Sequence, residues 1–245
     1  MERNYLSKAI VLKRQDYREN DSLVVFYTQN QGKLSLVARG TKKPKSKLVG
    51  HIEPLNLVDL MIIKGKGQDY VGSVISKEAY LNLKENLSNL HWAFLGANWL
   101  LRFSEEGGEE VDLFNLFANY LKALDKMPTD SKQAEGEILF SIFALRMMAI
   151  IGYQPQTKSC LQCRQKLEPK SHYFDLLSGG MLCPTCYFAK VAKNQEQYLK
   201  ISEEGIKFLR FIFDNNLFLG KKIKINKKIA REINVLASSF LAYRL

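Results

Sequence analysis

Near Asn82 the spacing of the apolar residues changes, so one regular element type cannot serve the whole chain. Before it, short runs rich in Val, Ile, Leu and aromatics recur: AIVLKR, SLVVFYT, KLSLVAR, LNLVDLMII and YVGSVISKE. Turn-forming pieces separate them: the DYREND segment, Gln29-Asn30-Gln31-Gly32, Gly40 to Gly50, and Gly65-Lys66-Gly67. Five short strands in about 80 residues suit a small closed or nearly closed barrel. The OB-fold is the commonest nucleic-acid-binding version of that size. After Asn82, NLHWAFLGANWLLRF, VDLFNLFANYLKALDK and GEILFSIFALRMMAII place large apolar residues three and four apart, as helices do. Further on, Ser202 is positioned to cap ISEEGIKFLRFIF, and Asn226 to cap KKIAREINVLASSFLAYRL.

The four cysteines form two pairs, Cys160-Leu-Gln-Cys163 and Cys183-Pro-Thr-Cys186, with nineteen residues between them. That is the spacing of a structural zinc site, in which four thiolates close the tetrahedron that Zn2+ accepts. Phe174 to Met181 reads as a strand, a Gly-Gly turn and a returning strand, the shape of a zinc ribbon. A closed four-cysteine site has no open coordination position, so it staples structure and does not catalyse. An iron–sulfur cluster takes the same four thiolates, and a redox dithiol is a third reading, although no thioredoxin-like βαβ pattern surrounds either pair. His172, between the pairs, is expected to be an exposed hairpin residue and not a ligand. The expected fold is therefore α+β and multidomain. An N-terminal OB-fold β-barrel spans 1–80, and an α-helical domain spans 81–245 with a four-cysteine zinc ribbon at about 157–190.

Charge points to the partner. The formal net charge is +11 and the pI about 9.4, which favours a polyanion, nucleic acid before membrane. Between Asp21 and Glu53 there is no acid, while Lys33, Arg39, Lys42, Lys43, Lys45 and Lys47 all fall in that interval. Their position, on a loop leaving a barrel strand, favours phosphate contact over a merely solvated loop. A second cluster is Lys221, Lys222, Lys224, Lys227, Lys228 and Arg231, with a solvated helix face as its equal alternative. Tyr17, Phe26, Tyr27 and Tyr70 are the aromatics to consider for base stacking, most of them expected in the core.

Other chemistry is not advertised. Asp16, Glu19 and Asp21 read as a polar turn, and no convergent carboxylate or histidine set supports catalysis. No GxSxG, HExxH or dinucleotide fingerprint occurs. The N-terminus is not a secretory signal, and the longest apolar segment is interrupted by Arg146 and is too short and charged for a membrane span. A cytoplasmic protein without a membrane partner is expected.

In this order of features, AIVLKRQDYRENDSLVVFYTQNQGKLSLVARGTKKPKSKL resembles the N-terminal segment of the RecO family of bacterial recombination mediators. IGYQPQTKSCLQC and FDLLSGGMLCPTC resemble that family's zinc segment. Arg164 departs from it, standing where many members have glycine. The resemblance implies a non-enzymatic, nucleoid-associated DNA repair factor. It implies binding of single- and double-stranded DNA and annealing of complementary strands. It also implies work with RecR, and with RecF, to load RecA onto DNA coated by single-stranded-DNA-binding protein, whose C-terminal tail the helical domain binds. Arg102 and Arg146, on apolar helices, are weak candidates for that tail. The alternatives are a zinc-ribbon RNA-binding or ribosome-associated module, a structural adaptor, and a nuclease. The lack of a carboxylate set speaks against the last.

Overall fold

A computed structural model describes residues 4–108, 111–128, 133–190, 195–214 and 226–244. The chain forms two compact units, Met1–Thr129 and Asp130–Leu245.

The first unit begins with five strands: β1 (Asn4–Tyr17), β2 (Asp21–Thr28), β3 (Gly32–Ala38), β4 (Leu57–Ile63) and β5 (Tyr70–Glu78). They lie in the order β1-β2-β3-β5-β4, and β1 pairs with both β2 and β4. One long strand serves two neighbours because it bends. Its N-terminal half pairs with β4, its C-terminal half with β2, and a register shift between Val11 and Lys13 marks a bulge. Alternating residues, among them Ala9, Val11, Val24, Phe26, Leu36, Val58, Leu60 and Ile62, turn inward to a shared core.

The expected OB-fold β-barrel requires correction at one seam. β3 and β5 share a single parallel pair, Val37 with Tyr70, whereas the other seams are long antiparallel ladders. The reason is overlap: β3 ends at Ala38 and β5 begins at Tyr70, so the two strands meet only end to start. The strands form a curled sheet rather than a barrel laddered all the way round. One backbone bond and two side-chain contacts supplement the seam. Val37 N–H donates to the Asp69 carbonyl (3.0 Å), Gln68 Nε2 donates to the Ser35 carbonyl (3.1 Å), and the Arg39 guanidinium stacks over the Tyr70 ring at 3.9 Å.

Three helices complete this unit: α1 (Leu81–Glu85), α2 (Leu87–Phe103) and α3 (Val111–Asp125). Asn86 caps α2 by accepting from Asn89 N–H at 3.1 Å. The buried Tyr120 hydroxyl of α3 donates to the Trp92 carbonyl of α2 at 2.8 Å. Asp125 accepts from Leu83 N–H at 3.0 Å, which ties α3 to α1.

The second unit is built around α4 (Gln133–Ile150), whose Phe140, Ile142, Phe143, Leu145 and Met147 are all buried. The longest apolar segment is thus a core helix, and among the described residues no helix is long and apolar enough to cross a membrane. The strand, Gly-Gly turn and returning strand anticipated for the ribbon form here, and a further strand that was not anticipated extends them into a three-stranded sheet. Its strands are β6 (His172–Asp175), β7 (Gly180–Leu182) and β8 (Tyr198–Ile201), ordered β7-β6-β8. Helix α5 (Pro184–Lys190) follows β7, and α6 (Glu203–Asp214) and α7 (Lys227–Ala242) follow the sheet. Ser202 Oγ accepts from Gly205 N–H (3.1 Å) and Asn226 Oδ1 from Lys228 N–H (3.0 Å), so both anticipated caps form.

Candidate metal centre and basic loop

The hairpin of β6 and β7 returns the chain so that Cys183 and Cys186 meet Cys160 and Cys163. All four sulfurs lie within 4.8 Å of one another. The edge of an S4 tetrahedron around zinc is about 3.8 Å, from a Zn–S bond of about 2.3 Å. Cys163 and Cys183 already stand 4.0 Å apart, so the cage fits a four-coordinate metal ion. Backbone amides point at the sulfurs: Cys183 N–H to Cys160 Sγ at 3.4 Å and Cys186 N–H to Cys183 Sγ at 3.5 Å. Burial opposes ionisation of Cys160, but the amides of Cys183, Cys163 and Gln162 outweigh it and bring its pKa down to about 6. Cys186 is pushed up to about 12, mainly by hydrogen bonding with the Cys183 thiol. Without metal, then, the cage favours thiolate at Cys160 and keeps Cys186 protonated, and a divalent ion would displace the remaining protons.

Two supports shape the cage. At the first knuckle Arg164 has φ +62°, and its N–H donates to the Cys160 carbonyl at 3.0 Å. This is the left-handed conformation that glycine adopts without cost and that arginine adopts only with strain. Arg164→Gly is expected to raise the midpoint of thermal unfolding, by about 1 kcal/mol of stability, if relief of strain outweighs the freer unfolded chain. Differential scanning calorimetry of the metal-loaded protein measures it; a lower midpoint would mean the strain is negligible.

The second support is Asp175, fully enclosed at the end of β6. Its carboxylate accepts from Gln197 Nε2 (2.7 Å), Ser178 Oγ (2.8 Å), and the Leu177 and Ser178 amides (3.1 Å each), with Lys190 at 3.5 Å. Burial alone would raise its pKa, yet these donors hold it below the usual carboxylate range. His172 also differs from expectation. It is buried, with Nε2 2.8 Å from the Glu168 carbonyl, because even positions of β6 face the unit's core. It is not among the cage residues.

In the first unit the long β3–β4 connection carries Arg39, Lys42, Lys43, Lys45 and Lys47, each exposed. It is an organised loop. Buried Thr41 shares a hydrogen bond with Ser22 (2.8 Å), Gly40 N–H donates to Asp21 Oδ1 (2.9 Å), and Lys42 N–H donates to the Asn20 carbonyl (3.1 Å). Lys42 Nζ lies 3.0 Å from Asp16. Asp16 and Asp21 of DYREND therefore anchor the loop. At its far end buried Asn56 donates to the Gly50 and His51 carbonyls (3.0 and 3.2 Å), and Ser76 N–H donates to His51 Nδ1 (3.2 Å).

Lys33 is not brought to this cluster. It sits six residues along β3 from Arg39, roughly 20 Å away, and donates to the Leu101 carbonyl at 3.1 Å. Of the four aromatics, Phe26 and Tyr27 are buried in the core, Tyr70 lies under Arg39, and Tyr17 lies under Arg18 at 5.1 Å. Two cations escaped the sequence reading. Arg14 reaches Ser22 Oγ (3.3 Å), the residue that holds Thr41, and Arg18 projects from the β1–β2 turn that the loop packs against. Three nearby acids disguised them; pairing of Asp16 with Ser22 across the hairpin was the available signal. Lys221, Lys222 and Lys224 lie outside the described residues, while Lys227, Lys228 and Arg231 are exposed on α7. Arg102 lies over Trp99 at 5.5 Å, and burial lowers the pKa of Arg146.

Comparison with known proteins agrees along the whole chain. A family model described as recombination protein O N terminal matches residues 1–80, and one described as recombination protein O C terminal matches 84–245. Among similar proteins is a DNA repair protein RecO from Dehalococcoides mccartyi, 27% identical over 232 residues, covering 95% of this chain and 87% of the relative. Another from Acetivibrio thermocellus is 28% identical over 243 residues, covering 99% and 92%. One from Alkaliphilus metalliredigens is 26% identical over 239 residues, covering 98% and 93%.

Proposed function

The chain belongs to the recombination protein O family of non-catalytic DNA repair and recombination mediators, and from that premise we propose how it handles DNA. The anchored basic loop holds phosphates: Arg39, Lys42, Lys43, Lys45 and Lys47 form the contact surface, and Arg14 and Arg18 extend it. The carrying observation is that Arg39, Lys42, Lys43, Lys45 and Lys47 stand exposed on a loop fastened at Ser22, Asp21 and Asn56, so little conformational freedom is lost when an anion binds. Cations on a fixed frame displace counterions from DNA without reading bases. Two like-charged strands held this way have their repulsion screened and can pair, which is strand annealing.

On this reading the protein binds single- and double-stranded DNA in the bacterial cytoplasm. It works with RecR, and with RecF, on strands coated by single-stranded-DNA-binding protein so that RecA can be loaded. The four cysteines hold one structural Zn2+, chosen because a closed thiolate cage of this spacing suits that ion. The metal supplies a fixed tetrahedral node, and the chain's own residues supply every contact with DNA.

The test is annealing of complementary oligonucleotides precoated with the cognate single-stranded-DNA-binding protein, without nucleotide. Wild type is expected to anneal them rapidly. Lys42→Ala/Lys43→Ala/Lys45→Ala is expected to anneal poorly, with DNA affinity at least about tenfold lower. Its plot of log affinity against log salt is expected to be shallower by about 2 for single strands, at about 0.7 per lost phosphate contact. Preferential binding of structured RNA, or affinity indifferent to salt and to the three substitutions, would overturn the reading.

A further inference from the structure

The second unit bears an aromatic surface that the basic loop's role does not use. One face of its sheet, with His172, Phe174 and Ile201, is buried, and Phe174 meets Phe240 of α7 edge-on at 5.5 Å. On the other face Tyr173 stands opposite Lys200, and Asp175 opposite Tyr198. Helix α5 lies over that face. Tyr187 stacks flat on Tyr173, with centroids 3.5 Å apart and planes within 4°, and meets Tyr198 edge-on at 5.4 Å. Phe188 abuts Tyr173 and Tyr187 at 5.9 and 5.2 Å and is 70% exposed. Helix α5 buries none of its residues, so its rings are not held there by a core. Phe188 is thus an exposed ring resting on the half-buried Tyr173 and Tyr187, and a contiguous aromatic surface of this kind marks a binding surface rather than ordinary scatter.

Cations adjoin the rings. β8 is an edge strand, and a groove of about 540 Å³ runs between it and α7, lined by Lys200, Lys227, Lys228, Arg231 and one acid, Glu232, with Leu199, Ile201 and Val235. Lys200 belongs to both features, opposite Tyr173 in the sheet and on the wall of the groove. None of these four cations makes an ion pair among the described residues. Three of the nearby acids have partners, and the four cations outnumber the one acid in the groove. Glu232 accepts from Ser202 N–H and Oγ (2.7 and 3.0 Å), Glu203 pairs with Lys207 (2.6 Å), and Asp175 is saturated beneath the rings.

Rings for base faces beside a cationic track are the two components of a single-strand binding site. We propose that the ring-bearing face of this sheet and the adjoining groove at its β8 edge together form a separate binding site for single-stranded DNA, with Tyr187 and Phe188 as the stacking surface and Lys200 and Arg231 on the phosphates. A duplex keeps its bases inside and has nothing to lay on Phe188. An acidic peptide would use the groove and leave the rings idle. Only the choice of DNA as ligand rests on the proposed function; the residues are different ones.

The test uses the full metal-loaded chain and a thymidine oligomer carrying 5-bromodeoxyuridine, with photo-cross-links mapped to peptides and affinity read by fluorescence anisotropy. Cross-links are expected within 173–200, and they are expected to persist in Lys42→Ala/Lys43→Ala/Lys45→Ala. In that loop variant, adding Phe188→Ala is expected to weaken the residual binding about tenfold without loss of metal. Lys200→Ala/Arg231→Ala is expected to flatten the salt dependence by about 1.4. Cross-links confined to 36–51 would overturn this site and leave the loop reading standing; cross-links confined to 173–200 would do the reverse. Tighter binding of the matching uridine RNA oligomer would overturn it. So would displacement by an acidic peptide with indifference to Phe188→Ala.

Discussion

Replacing Cys160 with serine is expected to abolish metal binding and unfold the ribbon, from about one zinc per chain by elemental analysis to none. Cys160 is the enclosed corner of the cage, and it receives the Cys183 amide. A hydroxyl is a poor zinc ligand and leaves that amide facing a weaker acceptor. Apparent folding free energies of about 10 kcal/mol or more come from structural zinc in small domains, comparable with the whole stability of an ordinary domain. The ribbon's own elements are short, a four-residue and a three-residue strand and a helix that buries none of its residues. The loss is expected to be local, because α4, α6 and α7 pack on one another and Asn234 Nδ2 donates to Ser141 Oγ at 3.3 Å. Hydrogen exchange is then expected to become fast over 159–187 while α4 and α7 stay protected. Chelation of wild type is expected to do the same. Iron in the purified protein, or an intact ribbon in the variant, would refute a structural zinc site.

Asp175→Asn is expected to be the next most damaging change, costing about 3 kcal/mol and roughly 10 °C in the unfolding midpoint of the second unit. An amide keeps the shape but loses the charge, and its NH2 group must face donors that now lack an acceptor. The pH dependence separates this from a packing defect. Asp175 has a folded-state pKa below its unfolded value. Its stabilisation is therefore present above the ordinary carboxylate value, and it is lost as pH falls through the depressed folded one. The gap between wild type and variant is expected to be steady from about pH 8 to pH 5 and to narrow in acid. Urea titrations of both proteins at about pH 7 and at about pH 3 check it. A gap that does not change would mean that the carboxylate's charge contributes nothing.

Elements whose signal is local were legible in the residues. The five strands fall where the short apolar runs lie, because alternation along a strand needs only its own side chains. The caps at Ser202 and Asn226 were legible for the same reason: a cap bonds an amide two or three residues away. Cys-x-x-Cys pairing is local as well, since the two-residue spacer itself turns both sulfurs inward. Features that depend on distant partners were not legible. The inward turn of His172 follows from the sheet's packing on α7, and Arg14 joins the basic loop only through Ser22 and Thr41.

By itself, then, the sequence determined the element types, the two caps and each Cys-x-x-Cys pair, all set by neighbours within a few residues. The tertiary structure alone decided the rest. It brought β3 and β5 together at one residue pair, because where one strand ends and the other begins is set by the loop between β3 and β4. It packed α1 to α3 in the unit of the strands, through Leu83 N–H to Asp125, Lys33 to the Leu101 carbonyl and Lys84 beside Glu53. And it stacked Tyr173 on Tyr187, fourteen positions apart in the chain, because the hairpin that closes the cysteine cage folds α5 back over the sheet.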